Sequence, residues 1–290
     1  MSGDVWTVGR VVKWATDDFK ARGIDSPRLD AELLLGSVLH VDRVRIITDA
    51  QRPLSADELS RYRALILRRR NLEPVAYLLG QREFYGRLFS VDPGVLIPRP
   101  DTEILVEVAL RRSTPRSLYG RALDLCTGSG CVAITFARER PTWHVDGADL
   151  SPLAIATARR NALRLGAVHN VRWLEGDLFA PLGPDARRYD LITANPPYIP
   201  EAEVATLDPG IRDFEPHMAL TGGADGLIVT RRLVAEAPAH LTPGGALATE
   251  IMAGTSDEVA GLFRAAGLVD VEVTRDYGGH DRVVSGRAPG

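Results

Sequence analysis

Two cysteines in 290 residues leave this chain without a disulfide framework, and Cys126 and Cys131 alone are too few thiolates for a structural zinc site. The six histidines, His40, His144, His169, His217, His240 and His280, are scattered and none stands beside a cysteine at ligand spacing, so no metal is expected. Charge of one sign is also lacking. Lys and Arg number 35 against 38 Asp and Glu, a net charge of -3, which supplies no global footprint for a nucleic-acid backbone. Long apolar runs are missing as well: no uncharged stretch reaches about eighteen residues, and Met1 to Lys13 carries charges within its short apolar part. The expectation is a cytoplasmic chain in a reduced compartment, neither secreted nor membrane-spanning. No internal repeat or low-complexity tract is present.

What is there begins with helices. Ser26-Pro27 reads as an N-cap followed by an N1 proline, with Leu29, Leu33 and Leu34 at helical spacing. Ser55 with Glu58 forms a capping box, in which hydroxyl and carboxylate each satisfy an orphan amide, and Leu59, Tyr62 and Ile66 continue the apolar face. Arg68-Arg69-Arg70 suits the negative pole of that helix better than it suits a binding patch. Alternation around Phe84, Tyr85, Gly86 and Phe89 predicts a short hairpin of illegible turn type. The segment Leu96-Ile97-Pro98-Arg99-Pro100-Asp101-Thr102-Glu103 follows. Its prolines forbid a helix at first, and Asp101 is the expected cap for a helix carrying Ile104, Leu105 and Val108.

From Arg121 onward, apolar runs near 122–126, 143–148, 171–174, 189–194 and 245–251 alternate with helical stretches at 130–139, 152–165 and 226–240. That is the pattern of a parallel, doubly wound α/β sheet. Leu268 to Val273 and Arg282 to Ser285 read as two further strands closing one edge.

In Asp124-Leu125-Cys126-Thr127-Gly128-Ser129-Gly130 a strand runs into a glycine-bearing loop with a helix directly after it, which makes a ligand cradle. Asp149 ends the next strand, where a carboxylate can accept from both hydroxyls of a ribose. Gly128-x-Gly130-x-x-Ala133 also fits a loose dinucleotide fingerprint, so NAD competes with S-adenosylmethionine. Asp124 tilts the choice: a carboxylate there repels a pyrophosphate and attracts an ammonium or sulfonium. After the third strand, Asp177 is placed to accept from an adenine amino group, with Leu178 or Phe179 walling the ring. A turn-capping role for Asp177 is an equal reading.

The fourth strand delivers Asn195-Pro196-Pro197-Tyr198 at its carboxyl end, the edge where open α/β sheets hold ligands. A planar amide or amine nitrogen is a poor nucleophile because its lone pair is delocalised. Acceptors that grip both N–H bonds turn that lone pair toward a methyl donor, and Asn195 Oδ1 with the Pro196 carbonyl can do this. Pro197 stiffens the loop and Tyr198 can pack on the planar group. The residues themselves leave a glutamine-type amide and an aromatic amine, as in adenine-N6 nucleic-acid methyltransferases, as alternatives. The absence of a basic target-recognition region counts against a duplex substrate. A non-catalytic binding protein is a further alternative, against which Asn195 and Asp149 count.

Taken with Leu96 to Glu103 and Arg212-Asp213-Phe214-Glu215-Pro216, these motifs make nearly the whole chain resemble the PrmC/HemK protein-(glutamine-N5) methyltransferases. The resemblance implies a Rossmann-like class I methyltransferase domain with a seven-stranded, mostly parallel sheet over 101–290. A helical-bundle domain that binds substrate would span 1–80, and a hairpin and linker 81–100. It implies methyl transfer from S-adenosylmethionine, leaving S-adenosylhomocysteine, to the glutamine of the Gly-Gly-Gln motif in class I peptide chain release factors, by a monomer. By the same resemblance, Asp124 and the Cys126, Thr127, Gly128, Ser129, Gly130 loop hold the methionine moiety, and Asp149 holds the ribose. Asp177 and Leu178 border the adenine, and Asn195, Pro196, Pro197 and Tyr198 take the glutamine amide, with Arg99 and Glu103 on the substrate side. Three departures stand out: Cys126 and Met252 each occupy a position where the family usually has glycine, and Leu178 stands where relatives place an aromatic.

Overall fold

The computed structural model describes residues 5–113, 118–183 and 187–290, so the first four positions of the Met1 to Lys13 reading lie outside the described residues. The chain divides into two compact units, Met1–Gly80 with Pro209–Phe214, and Gln81–Asp208 with Glu215–Gly290. No helix among the described residues is long and apolar enough to cross a membrane.

The first unit is helical: α1 Val8–Ala21, α2 Pro27–Leu39, α3 Arg43–Thr48, α4 Ala56–Arg70 and α5 Val75–Leu79. Phe19, Leu34, Leu35, Tyr62 and Ile66 are almost fully buried in its core, and the Tyr62 hydroxyl donates to the Ala31 carbonyl at 3.0 Å. The Ser55–Glu58 capping box forms as read, with both reciprocal bonds in place. Ser26 does not cap α2 through its side chain. Its ψ of 56° departs from the extended conformation that aims a hydroxyl at the first turn. Leu29 is exposed, while Ala31, Leu34 and Leu35 are buried, so the apolar face lies about one position along from the spacing read. The Arg68-Arg69-Arg70 run is consumed internally, by Glu73, Asp30 and Asp18 respectively.

The second unit opens with the antiparallel hairpin β1 Gln81–Phe84 and β2 Arg87–Ser90. Tyr85 (φ 51°) and Gly86 (φ 68°) both take left-handed backbone, the signature of a type I′ turn, whose twist matches the flanking strands. Phe84 and Phe89 meet edge to face inside this unit's core. A short 3-10 turn, Pro100–Thr102, precedes α6 Glu103–Arg112. Asp101 is therefore inside that turn rather than capping α6, and its carboxylate pairs with Arg282 at 3.2 Å.

Then come β3 Arg121–Leu125, α7 Cys131–Glu139, β4 His144–Asp149, α8 Pro152–Leu165, β5 Val171–Glu175 and β6 Tyr189–Ala194. After the short α9 Glu201–Val204 and α10 Pro209–Arg212, the last of these within the first unit, follow α11 Ile228–His240, β7 Leu241–Glu250, α12 Ser256–Ala265, β8 Val269–Arg275 and β9 Asp281–Arg287. The sheet order is β5-β4-β3-β6-β7-β9-β8, with β9 antiparallel to both its neighbours. Ala122, Leu191, Ala246 and Val283 enter one core cluster, and their successors Leu123, Ile192, Leu247 and Val284 enter the other. Period-two alternation thus buries both faces of the sheet, which is why its strands read as continuous apolar runs. It also leaves the carboxyl ends of β3, β4 and β6 as the edge where polar groups gather.

Candidate functional site

Asp124 lies near the end of β3, buried, and accepts from the hydroxyls of Thr127 at 2.6 Å and Thr193 at 2.7 Å. Desolvation pushes its pKa up to about 6 against these two bonds and an amide of α7. Cys126 adopts a φ of 54°, a conformation in which glycine meets no Cβ penalty, so the glycine that the resemblance leads one to expect there would have a backbone reason. Burial pushes the Cys126 thiol up, away from thiolate. Gly130 needs both conformation and space: at φ 79° it begins α7, and a Cβ there would lie 2.8 Å from the Trp173 ring. The loop is tied down from outside by Asn161 of α8, whose amide donates to the carbonyls of Ser129 (2.9 Å) and Ser90 (3.0 Å) and accepts the Ser90 amide (2.7 Å).

Asp149 at the end of β4 accepts the Gly128 amide at 2.8 Å on one oxygen and the Ser151 amide at 2.9 Å on the other. Burial raises its pKa, and the two amides oppose that rise. Both oxygens keep a second lone pair, so the carboxylate is oriented but not saturated. Asp177 is exposed and pairs with Arg232 at 2.7 Å. Leu178 is buried at φ 46°, whereas Phe179 turns away and stacks on His240 at 4.4 Å in the core. Of the two side chains considered as a wall, only Leu178 borders the cavity described below.

The Asn195–Tyr198 loop is clamped by the chain that precedes α11. The Ile199 amide donates to Leu220, the Gly222 amide returns a bond to Ile199, and the Glu201 amide donates to Gly223. Contact is tight enough that a Cβ on Gly222 would fall 2.2 Å from the Gly226 carbonyl oxygen and 2.7 Å from that of Pro197. Asn195 Nδ2 donates to Thr102 Oγ1 at 3.2 Å, and its Oδ1 has no donor among the described residues. The Tyr198 hydroxyl donates to Glu250 Oε1 at 3.1 Å. Glu250 is buried at the end of β7, and burial lifts its pKa to about 7.

One cavity of about 390 Å³ joins these parts. Asp124, Cys126, Thr127, Gly128, Ser129, Asp149, Asp177, Leu178, Asn195, Pro197 and Arg99 all line it. Gly130, Pro196, Tyr198 and Glu103, also singled out from the sequence, do not. Gly130 shapes the loop from behind, and Tyr198 turns toward Glu250. Glu103, read as a substrate residue, instead accepts the Tyr85 amide at 2.8 Å and holds the hairpin turn. Arg99 is engaged by the buried Glu215 at 2.6 Å, whose second oxygen accepts the Ile97 amide at 3.1 Å. Met252 and its neighbours from Ile251 to Gly254 lie outside the cavity lining, so the missing glycine there does not alter a wall. Sequence reasoning passed over Asn161, Thr102, Thr193 and Glu250 as site residues. Their partners are strands or helices away, so no local pattern announces them.

Residues 10–80 match the family described as PrmC N-terminal domain, and residues 100–207 that described as methyltransferase small domain. The chain is 44% identical over 284 residues, 98% of each chain, to a release factor glutamine methyltransferase of Geobacter sulfurreducens. A protein of the same description from Vibrio cholerae is 41% identical, covering 97% of this chain and 96% of its own. Among solved structures, a 16S rRNA N2 methyltransferase of T. thermophilus, in complex with AdoMet and guanosine, is similar with a TM-score of 0.53 and 19% identity, over 72% of this chain and 49% of that one. At that identity the likeness is one of fold, the class I methyltransferase fold.

Proposed function

Because this chain belongs to the release factor glutamine methyltransferase family, we propose that it methylates the side-chain amide nitrogen of the Gly-Gly-Gln glutamine in class I release factors, using S-adenosylmethionine and leaving S-adenosylhomocysteine. The observation that carries this reading is that the glycine loop, Asp149, and the Asn195 and Pro197 positions line a single cavity. A donor site and an acceptor site in one enclosure favour direct transfer between two bound partners.

The residues fit a cationic adenosyl ligand. Asp124 lines the cavity, is buried, and is bonded to hydroxyls and an amide rather than to a basic side chain, so its charge is available to an ammonium or sulfonium. Asp149, oriented by two amides, would hold the ribose hydroxyls, with Asp177 and Leu178 beside the base. S-adenosylmethionine, when bound, supplies a methyl group made electrophilic by its sulfonium.

On the acceptor side, Asn195 Oδ1 takes one N–H of the glutamine amide from the cavity wall. The Pro196 carbonyl, outside that lining, would take the other only where the substrate amide reaches past Asn195 to the loop, and together they would turn the nitrogen lone pair toward the donor. Pro197 stiffens the loop. Tyr198, with its hydroxyl on Glu250, serves as the back of that loop rather than as a lid on the amide. Arg99, paired with Glu215 at the cavity wall, meets the substrate as part of a neutralised pair. The helical unit would provide the docking surface for the release factor, and the enzyme would act as a cytoplasmic monomer. The net charge of -3 sets this reading above adenine-N6 methylation of a duplex.

Incubation with labelled S-adenosylmethionine and a class I release factor, followed by mass spectrometry of the Gly-Gly-Gln peptide, is expected to place the label on the glutamine side chain. Label on duplex DNA with none on the factor would overturn the proposal.

A further inference from the structure

The acceptor side of the cavity is poor in hydrogen-bond donors. Pro98, Pro197 and Pro216 border it and carry no N–H, Leu96 and Met218 add apolar side chains, and Asn195 Nδ2 is spent on Thr102. A glutamine cannot be brought there without its main chain, whose carbonyls lose water on entry and need a new donor. Two cationic side chains border the cavity, Arg99 and Arg232. Arg232 is paired with Asp177, beside the proposed adenine position, which leaves Arg99 as the charged donor on the acceptor side.

Arg99 is built to stay in place. It stands between Pro98 and Pro100, where the following proline confines its backbone to extended values, and its φ of -93° and ψ of 141° obey that. Its Nη2 donates to Glu215 Oε1 at 2.6 Å, and the other oxygen of that carboxylate accepts the Ile97 amide at 3.1 Å. Glu215 has only 1% of its side chain exposed and both its oxygens committed, while Arg99 keeps 31% exposed. A guanidinium has five N–H groups, and among the described residues only Nη2 has a partner. Donors are therefore left over on a side chain that cannot swing away, and Glu215 cancels the charge that would draw an anion instead. This contact joins Glu215-Pro216, from the second of the two proline-bearing motifs in the sequence, to Pro98-Arg99-Pro100 of the first.

We infer that Arg99 is a specificity-determining residue that donates to a main-chain carbonyl in one of the two peptide bonds flanking the substrate glutamine, with Glu215 as the residue that positions it. This rests on the reading of the cavity as the site of glutamine methylation. The side-chain carbonyl of the glutamine is the wrong target: a donor on that oxygen draws the nitrogen lone pair further into the amide, the reverse of what methyl transfer needs. A main-chain carbonyl lies outside that conjugation, so holding it leaves the nucleophile unaffected. The contact is equally strong before and during transfer, so it acts on KM rather than on kcat. It makes the enzyme read a peptide, because a free carboxamide lacks the group that Arg99 holds.

Arg99→Met alone would strand a buried carboxylate, so the test pairs it with Glu215→Gln, whose Oε1 can still accept the Ile97 amide. For this double variant, KM for a class I release factor is expected to rise roughly 10- to 100-fold, the loss of a hydrogen bond from a charged donor. Its kcat, Tm and calorimetric affinity for S-adenosylmethionine stay near wild type. Arg99→Lys, which keeps the charge without the planar fork, falls between the two. The complementary change is made in the substrate: a semisynthetic release factor with an ester in place of the peptide bond on either side of the glutamine presents a weaker carbonyl acceptor. One of the two esters is expected to raise KM for the wild-type enzyme and to make little difference to the double variant. Unchanged KM in the double variant overturns the assignment, as does an ester penalty that is absent or is the same in both enzymes. Parallel losses of Tm and cofactor affinity also overturn it, since they mark the pair as structural alone. A wild-type enzyme that methylates no glutamine strikes the underlying reading instead, and is told apart because it fails before any variant is compared.

Discussion

Asp124 is a carboxylate with no basic partner among the described residues, held near the end of β3 where burial lifts its pKa from 3.8 to about 6. Between those values the folded chain keeps a proton that the unfolded chain has lost. Stability therefore falls as pH rises through that window and stays lowered above it, by about 3 kcal/mol in full. Asp124→Asn removes the titration. Urea midpoints measured from pH 4 to 7 are expected to show the variant gaining on the wild type through the window and holding its advantage above it, while S-adenosylmethionine affinity drops. A difference that stays flat with pH would mean that the carboxylate is not desolvated as the geometry requires. At this scale, the placement of Asp124, Asp149 and Asn195 at or beside a strand's carboxyl end was legible, because apolar runs mark where the strands stop. Thr102 and Glu250 were not, since their bonds reach across 93 and 52 positions and no local pattern encodes such a pairing. The contact of Glu103 was hidden for a related reason: the proline-rich segment named its neighbourhood, but the helix face on which it falls carries it to the hairpin.

At the scale of elements, hydrophobic patterning was the reliable guide and cap chemistry the less reliable one. Strands β3, β4 and β6 came out close to their apolar runs because burial on both faces makes such runs continuous. Ser55 kept its capping box, since Glu58 completes it three residues on, whereas Ser26 and Asp101 had the right residue type without the backbone that aims it. The type I′ turn escaped because Tyr85, a bulky residue at φ 51°, is not among the residues that announce it. What sets the reaction loop is likewise an element-level contact, the close approach of the Gly222–Gly226 chain. Gly222 has no left-handed φ, so its requirement is space alone: a Cβ would sit 2.2 Å from one carbonyl oxygen and 2.7 Å from the Pro197 carbonyl oxygen. Gly222→Ala must push the loop aside. Turnover on the release factor is expected to fall about a hundredfold, with cofactor affinity changed far less. Equal losses in both would place the damage in the cofactor half of the cavity and remove the clamp as a positioning device.

For the molecule as a whole, the second unit carries both sheet-face cores and the cavity, and the first carries its own core around Phe19, Leu35 and Tyr62. The change of period in the sequence, from helical spacing to alternating strands and helices, is a global property and was readable, whereas the grouping of Pro209–Phe214 with the first unit and of residues 81–100 with the second was not. Cofactor identity is a global question of a different kind, because a ligand that binds only the folded chain adds its binding free energy to stability. At a concentration a hundred times its Kd, S-adenosylmethionine should contribute about 2.7 kcal/mol to the unit that holds the cavity. For a unit of this size that corresponds to a rise in Tm of roughly 5–10 °C. NAD at the same concentration is the control, since it shares the adenosine that Asp149 and Leu178 would receive but brings a pyrophosphate toward Asp124. Scanning calorimetry is expected to show the rise with S-adenosylmethionine and S-adenosylhomocysteine and little with NAD. A rise with NAD that equalled the others would mean that Asp124 does not discriminate by charge, and the assignment of the methionine end of the cavity would have to be abandoned.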